Sequence, residues 1–235
     1  MHKNLLPIIG IEPNSTKDYP NKLSAVLFTQ GCSFRCSYCH NADFAYIDTN
    51  KPTLSYGQIN MFLQERINWL DAIVISGGEP TIHSIEALIN TYKMIKNYDY
   101  LTGLHSNGYS SNKIEQLLQE GIVDFYGIDF KTTKNNYETL THSNSYEDVI
   151  HSIRLIINNN AMYNVRTTYH PKILTEDMMI NMIYTLASVG VKNYIIQKYH
   201  STGVQDSNLK YDPTPVIPPN VISIAKKMFP NFQIR

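Results

Sequence analysis

Residues 24–39 read SAVLFTQGCSFRCSYC: a short apolar run that predicts a buried β-strand, followed at once by a loop that holds every cysteine of the chain. The cysteines, Cys32, Cys36 and Cys39, are spaced CxxxCxxC within eight residues. Three thiolates at this spacing can hold three corners of a cuboidal 4Fe-4S cluster and leave the fourth iron without a protein ligand. The stretch therefore predicts an iron-sulfur centre at a strand end, with one iron open to a small chelating molecule.

Two other uses of these cysteines are weaker. A structural zinc ion could take His40 as its fourth ligand, but Cys39 and His40 are adjacent, whereas zinc ligands are usually separated by two or more residues. A disulfide framework is disfavoured because the cysteine count is odd and no apolar signal segment follows Met1. The pattern therefore favours a reducing, cytoplasmic location.

Charge and length narrow the class of protein. Twenty basic and twenty acidic side chains cancel, and no block of like charge occurs, so neither a nucleic acid nor an anionic membrane is an expected partner. No apolar run approaches the roughly 18 residues that span a bilayer, which predicts a soluble protein. We expect a single domain over residues 1–235, with a core at about 22–200 and a C-terminal extension at 201–235.

Short apolar runs alternate with stretches of helical period, which predicts βα units around a parallel sheet. Six strands are expected, at about 24–29, 72–76, 101–106, 124–129, 163–168 and 193–197. Ser55 and Gln58 predict a capping box at the start of the first helix. The apolar face of that helix would run from Ile59 to Leu70. Gly121 predicts the end of the third helix.

Polar residues interrupt this pattern at or just beyond the carboxyl ends of the strands, where α/β barrels and open sheets place their active sites. Beyond the cysteine loop they are Gly77, Gly78, Glu79, Ser106, Asn107, Asp129, Lys131, Arg166, Gln197 and His200. Each alone has a structural explanation, such as a tight turn for the glycines or a surface ion pair for Asp129 and Lys131. Their common position predicts one site at this edge of the sheet.

The aromatic Tyr38 precedes the last cysteine, and the resulting CxxxCx(aromatic)C resembles the signature of the radical S-adenosylmethionine (radical SAM) superfamily. The resemblance implies an α/β fold of the partial (βα)6 TIM-like barrel type, with a 4Fe-4S cluster on the cysteines and S-adenosylmethionine at the open iron. In such an enzyme one electron enters the sulfonium of the cofactor, and the resulting radical abstracts hydrogen. No side chain therefore has to act as a general base.

The resemblance also implies roles for the polar residues. Gly77-Gly78-Glu79 match the segment whose backbone carbonyls approach the ammonium group of the cofactor, where a Cβ would clash. Whether Glu79 contributes its charge or only pins the loop is open. The groups implied to contact adenine or the nucleoside are the backbone of Tyr38 to His40 and the segment from Gln197 to His200. Those implied to bind the carboxylate and ribose are Ser106, Asn107, Asp129, Lys131 and Arg166.

The resemblance narrows over residues 10–200 to the anaerobic ribonucleotide reductase activating protein family. The segments that carry it are Asp18-Tyr19-Pro20, 28–32, Cys39-His40-Asn41, 74–81 and Arg166-Thr167-Thr168. A protein of this family abstracts a hydrogen atom from the Cα of one glycine in a glycyl-radical enzyme. No further cysteine exists for an auxiliary cluster, so the electron would come from an external donor such as a flavodoxin or ferredoxin.

One residue departs from that family pattern. His105 stands before Ser-Asn-Gly, where activating enzymes often carry an acid. A cation site or a hydrogen bond that depends on this acid is therefore in doubt, and His105 is interpreted as neutral packing instead.

Several alternatives remain open. The target could be another glycyl-radical enzyme of the pyruvate formate-lyase type, or a small molecule as in 7-carboxy-7-deazaguanine synthase. The chain could also be a non-catalytic iron-sulfur or zinc module that serves electron transfer or scaffolding. The segment 201–219 could cover the open side of the barrel, dock the partner or be an ordinary surface loop.

Overall fold

The computed structural model describes residues 4–204, 206–209 and 213–235, which form one sheet covered by helices. The strands are β1 Ile8–Ser15, β2 Ser24–Thr29, β3 Ala72–Gly77, β4 Leu101–Ser106, β5 Phe125–Asp129, β6 Met162–Tyr169, β7 Asn193–Lys198 and β8 Asn231–Ile234. The helices are α1 Tyr56–Glu65, α2 Ile85–Lys96, α3 Ser111–Glu120, α4 Tyr137–Thr141, α5 Tyr146–Asn158, α6 Glu176–Val189 and α7 Pro219–Met228.

The strands lie in sequence order across the sheet, from β1 to β8. Neighbours from β2 to β8 are parallel, and β1 pairs antiparallel with β2. All six predicted strands are confirmed as β2 to β7, within one or two residues at each end. The two edge strands were not predicted. β1 is interrupted by Gly10 and Pro13 and changes register along its length, and β8 is only four residues long.

A contact between the two edges shows that the sheet is strongly curved. The guanidinium Nη1 of Arg235, just after β8, donates to the carbonyl oxygen of Lys17, just after β1, at 2.8 Å. In a flat sheet, seven strand spacings of about 4.8 Å would separate these edges by more than about 30 Å. The sheet is therefore a partial barrel, as predicted, in which an edge strand on each side extends the six-strand core.

The two faces of this curved sheet pack differently. Outward-facing side chains such as Leu27, Ile73 and Ile128 join the helices in the main hydrophobic core. Inward-facing side chains form a smaller apolar cluster at the amino ends of the strands, which we call the inner plug: Tyr19, Val26, Ala72, Val74 and Phe125. The inner plug closes the lower end of the barrel, so the open space lies at the carboxyl ends.

Local signals set two of the helix ends as predicted. Ser55 and Gln58 form the capping box of α1, and Gly121 ends α3 in the left-handed conformation at φ 62°. The predicted extent of the first helix was wrong at its end, because α1 stops at Glu65 and Asn68 takes a left-handed φ of 67°. Leu70 is nevertheless buried from the turn that follows.

Within the part of the chain that the structure describes, none of the helices is both long and apolar enough to cross a bilayer. The single-domain interpretation stays a prediction. α7 and β8, from the predicted extension, pack on α6 and β7 respectively, so these residues continue the same sheet and helix layer.

Candidate active site

A cavity of about 540 Å³ opens at the carboxyl ends of the strands. All but one of the predicted site residues line it: Cys32, Cys36, Tyr38, Cys39, His40, Gly77, Gly78, Ser106, Asn107, Asp129, Lys131, Arg166, Gln197 and His200. The exception is Glu79, which lies behind the wall of the cavity. Lining residues that the sequence did not single out as site residues include Asp18, Asn41, Thr168 and Asp206.

The cysteine loop is held by backbone contacts rather than by regular structure. Cys32 N donates to the Ala45 carbonyl at 3.0 Å, and Arg35 N donates to the Thr141 carbonyl at 2.9 Å. The guanidinium of Arg35 donates to the Cys32 carbonyl at 2.6 Å, and its Cζ lies 4.4 Å from the centre of the Tyr46 ring. The three thiols are free and half-buried around the cavity.

The donor chemistry of these three thiols fits a cuboidal cluster. Among the described residues, no three His, Cys, Asp or Glu side chains converge as one metal ion would require. A cuboidal cluster needs no such convergence because each thiolate binds a different iron. Cys32, Cys36 and Cys39 supply the donor set of a cluster with one open iron.

Burial also shapes the chemistry of the thiols. Desolvation, together with the nearby Glu79 carboxylate, raises the pKa of Cys32 to about 12, and desolvation raises the pKa of Cys36 to about 11 despite the opposing charge of Lys131. Burial likewise raises the pKa of Cys39. Such thiols stay protonated at neutral pH unless a cation takes the place of the proton, which cluster iron does.

The two glycines after β3 are required by the backbone around them. Gly77 has φ 121°, and an added Cβ there would overlap the backbone of Thr29. A Cβ on Gly78 would overlap the carbonyl of Gly31, which precedes the first cysteine. The predicted reason, room for the ammonium group of a cofactor, is therefore not the only one, because close packing of the β2 and β3 loops already demands glycine.

Glu79 pins the next loop. Its side chain is fully buried, and it accepts hydrogen bonds from Thr81 N and Oγ1, from Ser106 Oγ at 2.8 Å and from Asn107 N at 2.6 Å. Burial raises the pKa of this carboxyl, and the four donors oppose the shift. Asn107 in turn points its amide Nδ2 at Cys32 Sγ, 3.8 Å away. These contacts show that Glu79 pins the loop, and its charge also acts on the Cys32 thiol.

Three charged residues form a network on the inner wall. Asp129 lies beside Arg166 on the adjacent strand, with Oδ1 2.9 Å from the Arg166 guanidinium and Oδ2 3.2 Å from Lys131 Nζ. Although burial disfavours the carboxylate, these cations lower the pKa of Asp129 to about 2. Lys131 pays a burial cost too, yet Asp129 raises its pKa well above the ordinary value. Asp129 and Lys131, for which a surface ion pair was the alternative explanation, thus line the cavity.

His105 is buried next to this network. Its Nε2 lies 2.9 Å from the Asp18 carbonyl oxygen and its Nδ1 3.7 Å from the Asp18 carboxylate. Burial and the nearby Arg166 lower the pKa of His105 to about 4, which keeps the ring neutral at neutral pH. Position 105 lacks the acid of the family pattern, but Asp18 places a carboxylate next to it. Asp18 lies in the loop between β1 and β2. The sequence held a signal for it in Asp18-Tyr19-Pro20.

Two imidazoles stack at the mouth of the cavity. The rings of His40 and His200 lie 3.9 Å apart and 13° from parallel. His40 Nε2 is buried and has no hydrogen-bond partner among the described residues. Burial and the neighbouring His200 lower the pKa of His40 to about 4. An added Cβ on Gly203 would overlap the His40 carbonyl, so the chain after β7 packs directly on the end of the cysteine loop.

The family model of the radical SAM superfamily matches residues 26–183. A protein of Methanocaldococcus jannaschii that carries the name glycyl-radical enzyme activating enzyme is 32% identical over an alignment of 237 positions, which covers 97% of this chain and 95% of that protein. A pyruvate formate-lyase-activating enzyme of Listeria monocytogenes is 24% identical over 93% of this chain and 94% of its own length.

Solved structures share the fold at low identity. A radical SAM methyltransferase from Sphaerobacter thermophilus has a TM-score of 0.68 at 13% identity, covering 92% of this chain and 67% of its own. Streptococcus suis SuiB, solved with S-adenosylmethionine, has a TM-score of 0.63 at 10% identity and covers 88% of this chain. The chain spans about half of SuiB, 48% of its length.

The superfamily predicted from the cysteine motif is thereby confirmed, and with it an enzyme that uses a 4Fe-4S cluster and S-adenosylmethionine. The cysteine loop and the charged cavity wall fit both groups. The chain belongs to the radical SAM superfamily and, within it, to the family of glycyl-radical enzyme activating enzymes.

Proposed function

We propose that this protein installs a glycyl radical on an anaerobic ribonucleoside-triphosphate reductase. The observation that carries the proposal is the gathering of the cysteine loop and of residues from five further strand ends, those of β3 to β7, around one cavity. When bound, the cluster and S-adenosylmethionine supply a carbon radical strong enough to remove the Cα hydrogen of a glycine. The protein has to hold these groups, keep water out and admit a peptide loop.

The cavity residues divide these tasks. Cys32, Cys36 and Cys39 hold the cluster. Lys131, charged and only 16% exposed, suits the carboxylate of the cofactor. Asp129, which is itself paired with Arg166, holds Lys131 in place. The backbone carbonyls of Gly77 and Gly78 suit the ammonium group, as the family resemblance implies.

The nucleoside end of the cofactor would lie near the stacked histidines. Tyr38, His40, Gln197 and His200 line that part of the cavity, and the unpartnered Nε2 of His40 offers a hydrogen bond. Ser106 and Asn107 are already engaged by Glu79, so they contribute chiefly by fixing the cavity wall next to Cys32.

The test is glycyl-radical formation on purified partners. The protein is reconstituted with iron and sulfide without oxygen, reduced with dithionite, and mixed with S-adenosylmethionine and an anaerobic ribonucleotide reductase from the same genome. The proposal expects 5'-deoxyadenosine and a doublet glycyl-radical EPR signal on the reductase. Cofactor cleavage without that signal would refute the target while leaving the enzyme class intact.

A second target is a pyruvate formate-lyase type enzyme. It is favoured by the similarity to pyruvate formate-lyase-activating enzymes of Listeria monocytogenes and Clostridium pasteurianum. The same assay with a pyruvate formate-lyase in place of the reductase separates the two, because the signal appears only on the cognate glycine loop. A signal on neither protein would favour a small-molecule substrate, as in the 7-carboxy-7-deazaguanine synthase alternative.

The remaining features of the proposal concern the setting of the enzyme. We propose a cytoplasmic location, where a reducing environment preserves the thiols, and an external flavodoxin or ferredoxin as electron donor. Replacing dithionite by each reduced donor in the same assay tests the second point. If neither donor supports cleavage of S-adenosylmethionine, this class of reductant is excluded.

A further inference from the structure

Asn107 presents its side-chain amide to the sulfur of one cysteine ligand. It directly follows β4, lines the cavity and is only 5% exposed. Its Nδ2 donates to Cys32 Sγ at 3.8 Å and also lies 3.5 Å from Ser33 Oγ. Sulfur is a large acceptor, so an N–H···S bond is longer than an N–H···O bond. The amide is therefore within hydrogen-bonding distance of the Cys32 sulfur.

The orientation of this amide is fixed by its other contacts. Asn107 Oδ1 accepts the backbone N–H of Tyr109 at 3.0 Å. Exchanging the amide oxygen and nitrogen would set two donors against each other, so the assignment of Nδ2 is settled by the hydrogen bonds. The backbone N–H of Asn107 donates to the buried carboxylate of Glu79 at 2.6 Å and anchors the main chain. Nδ2 is thus the atom that faces the cysteine loop.

The Cys32 sulfur lies where a donor has the most to offset. Its surroundings disfavour negative charge, because burial and the nearby Glu79 carboxylate both raise the pKa of the thiol. The backbone N–H of Phe34 already donates to the same sulfur at 3.3 Å. The Asn107 amide adds a second N–H donor, and this one belongs to a side chain that can be replaced. The contribution of the second donor can therefore be measured separately.

Two other roles of Asn107 make different predictions. The contact with Ser33 Oγ would only tie two loops together, and replacing Ser33 removes it without touching the sulfur. A contact with S-adenosylmethionine, which the family resemblance implies, would act only when that molecule is bound. A hydrogen bond to Cys32 acts on the cluster itself. The properties of the cluster, measured without S-adenosylmethionine, therefore distinguish the three roles.

We propose that the Asn107 amide donates a hydrogen bond to Cys32 Sγ when that sulfur binds iron, and thereby raises the reduction potential of the cluster. The reduced cluster carries one more negative charge, which a donor to a ligand sulfur stabilises. No proton is transferred, and the electron comes from the external reductant. The inference rests on the cluster of the family and not on the identity of the activated enzyme, so its failure would leave the proposed target untouched.

The experiment compares Asn107→Ala with Ser33→Ala as its matched control. Each protein is reconstituted with iron and sulfide, titrated with dithionite and redox mediators without S-adenosylmethionine, and followed by EPR. At a fixed potential we expect the ratio of reduced to oxidised cluster to fall about threefold in Asn107→Ala. This fall corresponds to a midpoint about 28 mV lower, at about 59 mV per tenfold change for one electron. Ser33→Ala should keep the wild-type midpoint. An unchanged midpoint in Asn107→Ala, or an equal shift in both variants, would overturn the proposal.

A measurement on the unsubstituted protein tests the same hydrogen bond even if Asn107→Ala does not assemble a cluster. The protein is labelled with 15N at the side-chain amides of asparagine, and pulsed EPR of the reduced cluster should detect coupling to one such nitrogen. The coupling should persist in Asn41→Ala, because the Asn41 amide donates to the Gly77 carbonyl at 3.3 Å instead. Absence of the coupling in the unsubstituted protein, or its loss in Asn41→Ala, would contradict the assignment to Asn107.

Discussion

The amino and carboxyl halves of the barrel interior use the same strands for opposite purposes. Phe125 of β5 packs in the inner plug with its ring 5.2 Å from that of Tyr19, while Asp129, four residues along the same strand and on the same face, anchors the charged cavity wall. The lower half gains stability from apolar burial, and the upper half holds charges in a cavity. Substitutions in the lower half should therefore change the stability of the fold, whereas substitutions in the upper half should change cofactor binding and catalysis.

The largest effect is expected from the upper half. Cys36→Ala should abolish the visible absorbance of the cluster and all cleavage of S-adenosylmethionine, because one corner of the cluster loses its ligand. The fold should survive, since Cys36 forms no disulfide. Anaerobic absorbance spectra and 5'-deoxyadenosine assays measure the first effect, and thermal unfolding by circular dichroism measures the second. Residual cleavage would contradict the ligand assignment.

The inner plug should show the reverse pattern. Phe125→Ala empties a fully buried aromatic site and should cost about 3 to 5 kcal/mol of unfolding free energy, measured by denaturant titration. At temperatures where it is folded, its cluster content should match wild type. Phe62→Ala, on the half-buried side of α1, is the control and should cost less. Equal losses in the two variants would mean that the plug has no special role.

The two halves should also differ in their response to acid. His105 is neutral in the fold, with a pKa of about 4 against 6.5 when unfolded. The unfolded state takes up its proton first, so stability should be full above pH 6.5 and fall by roughly 3 kcal/mol as the pH drops to 4.

His105→Gln should remove that part of the pH dependence in the cluster-free protein, measured by denaturant titration at several pH values. The share due to His40, whose pKa is lowered to about 4 as well, should remain. His151→Gln, at an exposed site on α5, serves as the control. An unchanged slope in His105→Gln would show that His105 is already charged in the fold.

A smaller effect is expected at the cofactor contact. Lys131→Ala should leave the cluster intact and weaken binding of S-adenosylmethionine by about 1.5 to 3 kcal/mol, because a charge-assisted hydrogen bond is lost. Lys134→Ala removes the same charge at a surface pair with Glu147 and should leave affinity unchanged. Anaerobic calorimetry measures both. Equal affinity in wild type and Lys131→Ala would remove Lys131 from the site.

The smallest effect concerns the contact that joins the two edges of the sheet. Arg235→Gln removes the hydrogen bond to the Lys17 carbonyl and should cost about 0.5 to 1.5 kcal/mol. Amide hydrogen exchange should accelerate in residues 15–18, a segment that ends at Asp18 in the cavity wall. Arg154→Gln on the exposed face of α5 provides the matched loss of charge. Unaltered exchange at 15–18 would show that the edges are held by other contacts.

Patterns among neighbouring residues predicted the central strands and the iron-sulfur chemistry of the site. The six core strands are short and apolar, and the cysteine spacing is specific, so both could be identified from neighbouring residues alone. The edge strands could not: β1 and β8 are irregular or short and exist because a partner strand offers hydrogen bonds. The early end of α1 at Glu65 likewise depends on a turn, which the helical spacing of the apolar residues does not indicate.

The sequence by itself determined the kind of cofactor, because thiolate spacing along one loop reflects the chemistry of iron and sulfur directly. Tertiary structure alone decided where the cavity wall departs from the prediction. It turned Glu79 away from the site to bind Ser106 and Asn107, and it placed Asp18 beside His105 across 87 positions of sequence. A buried charge has to pair with groups that the fold places within hydrogen-bond distance. The curvature of the sheet decides which groups these are.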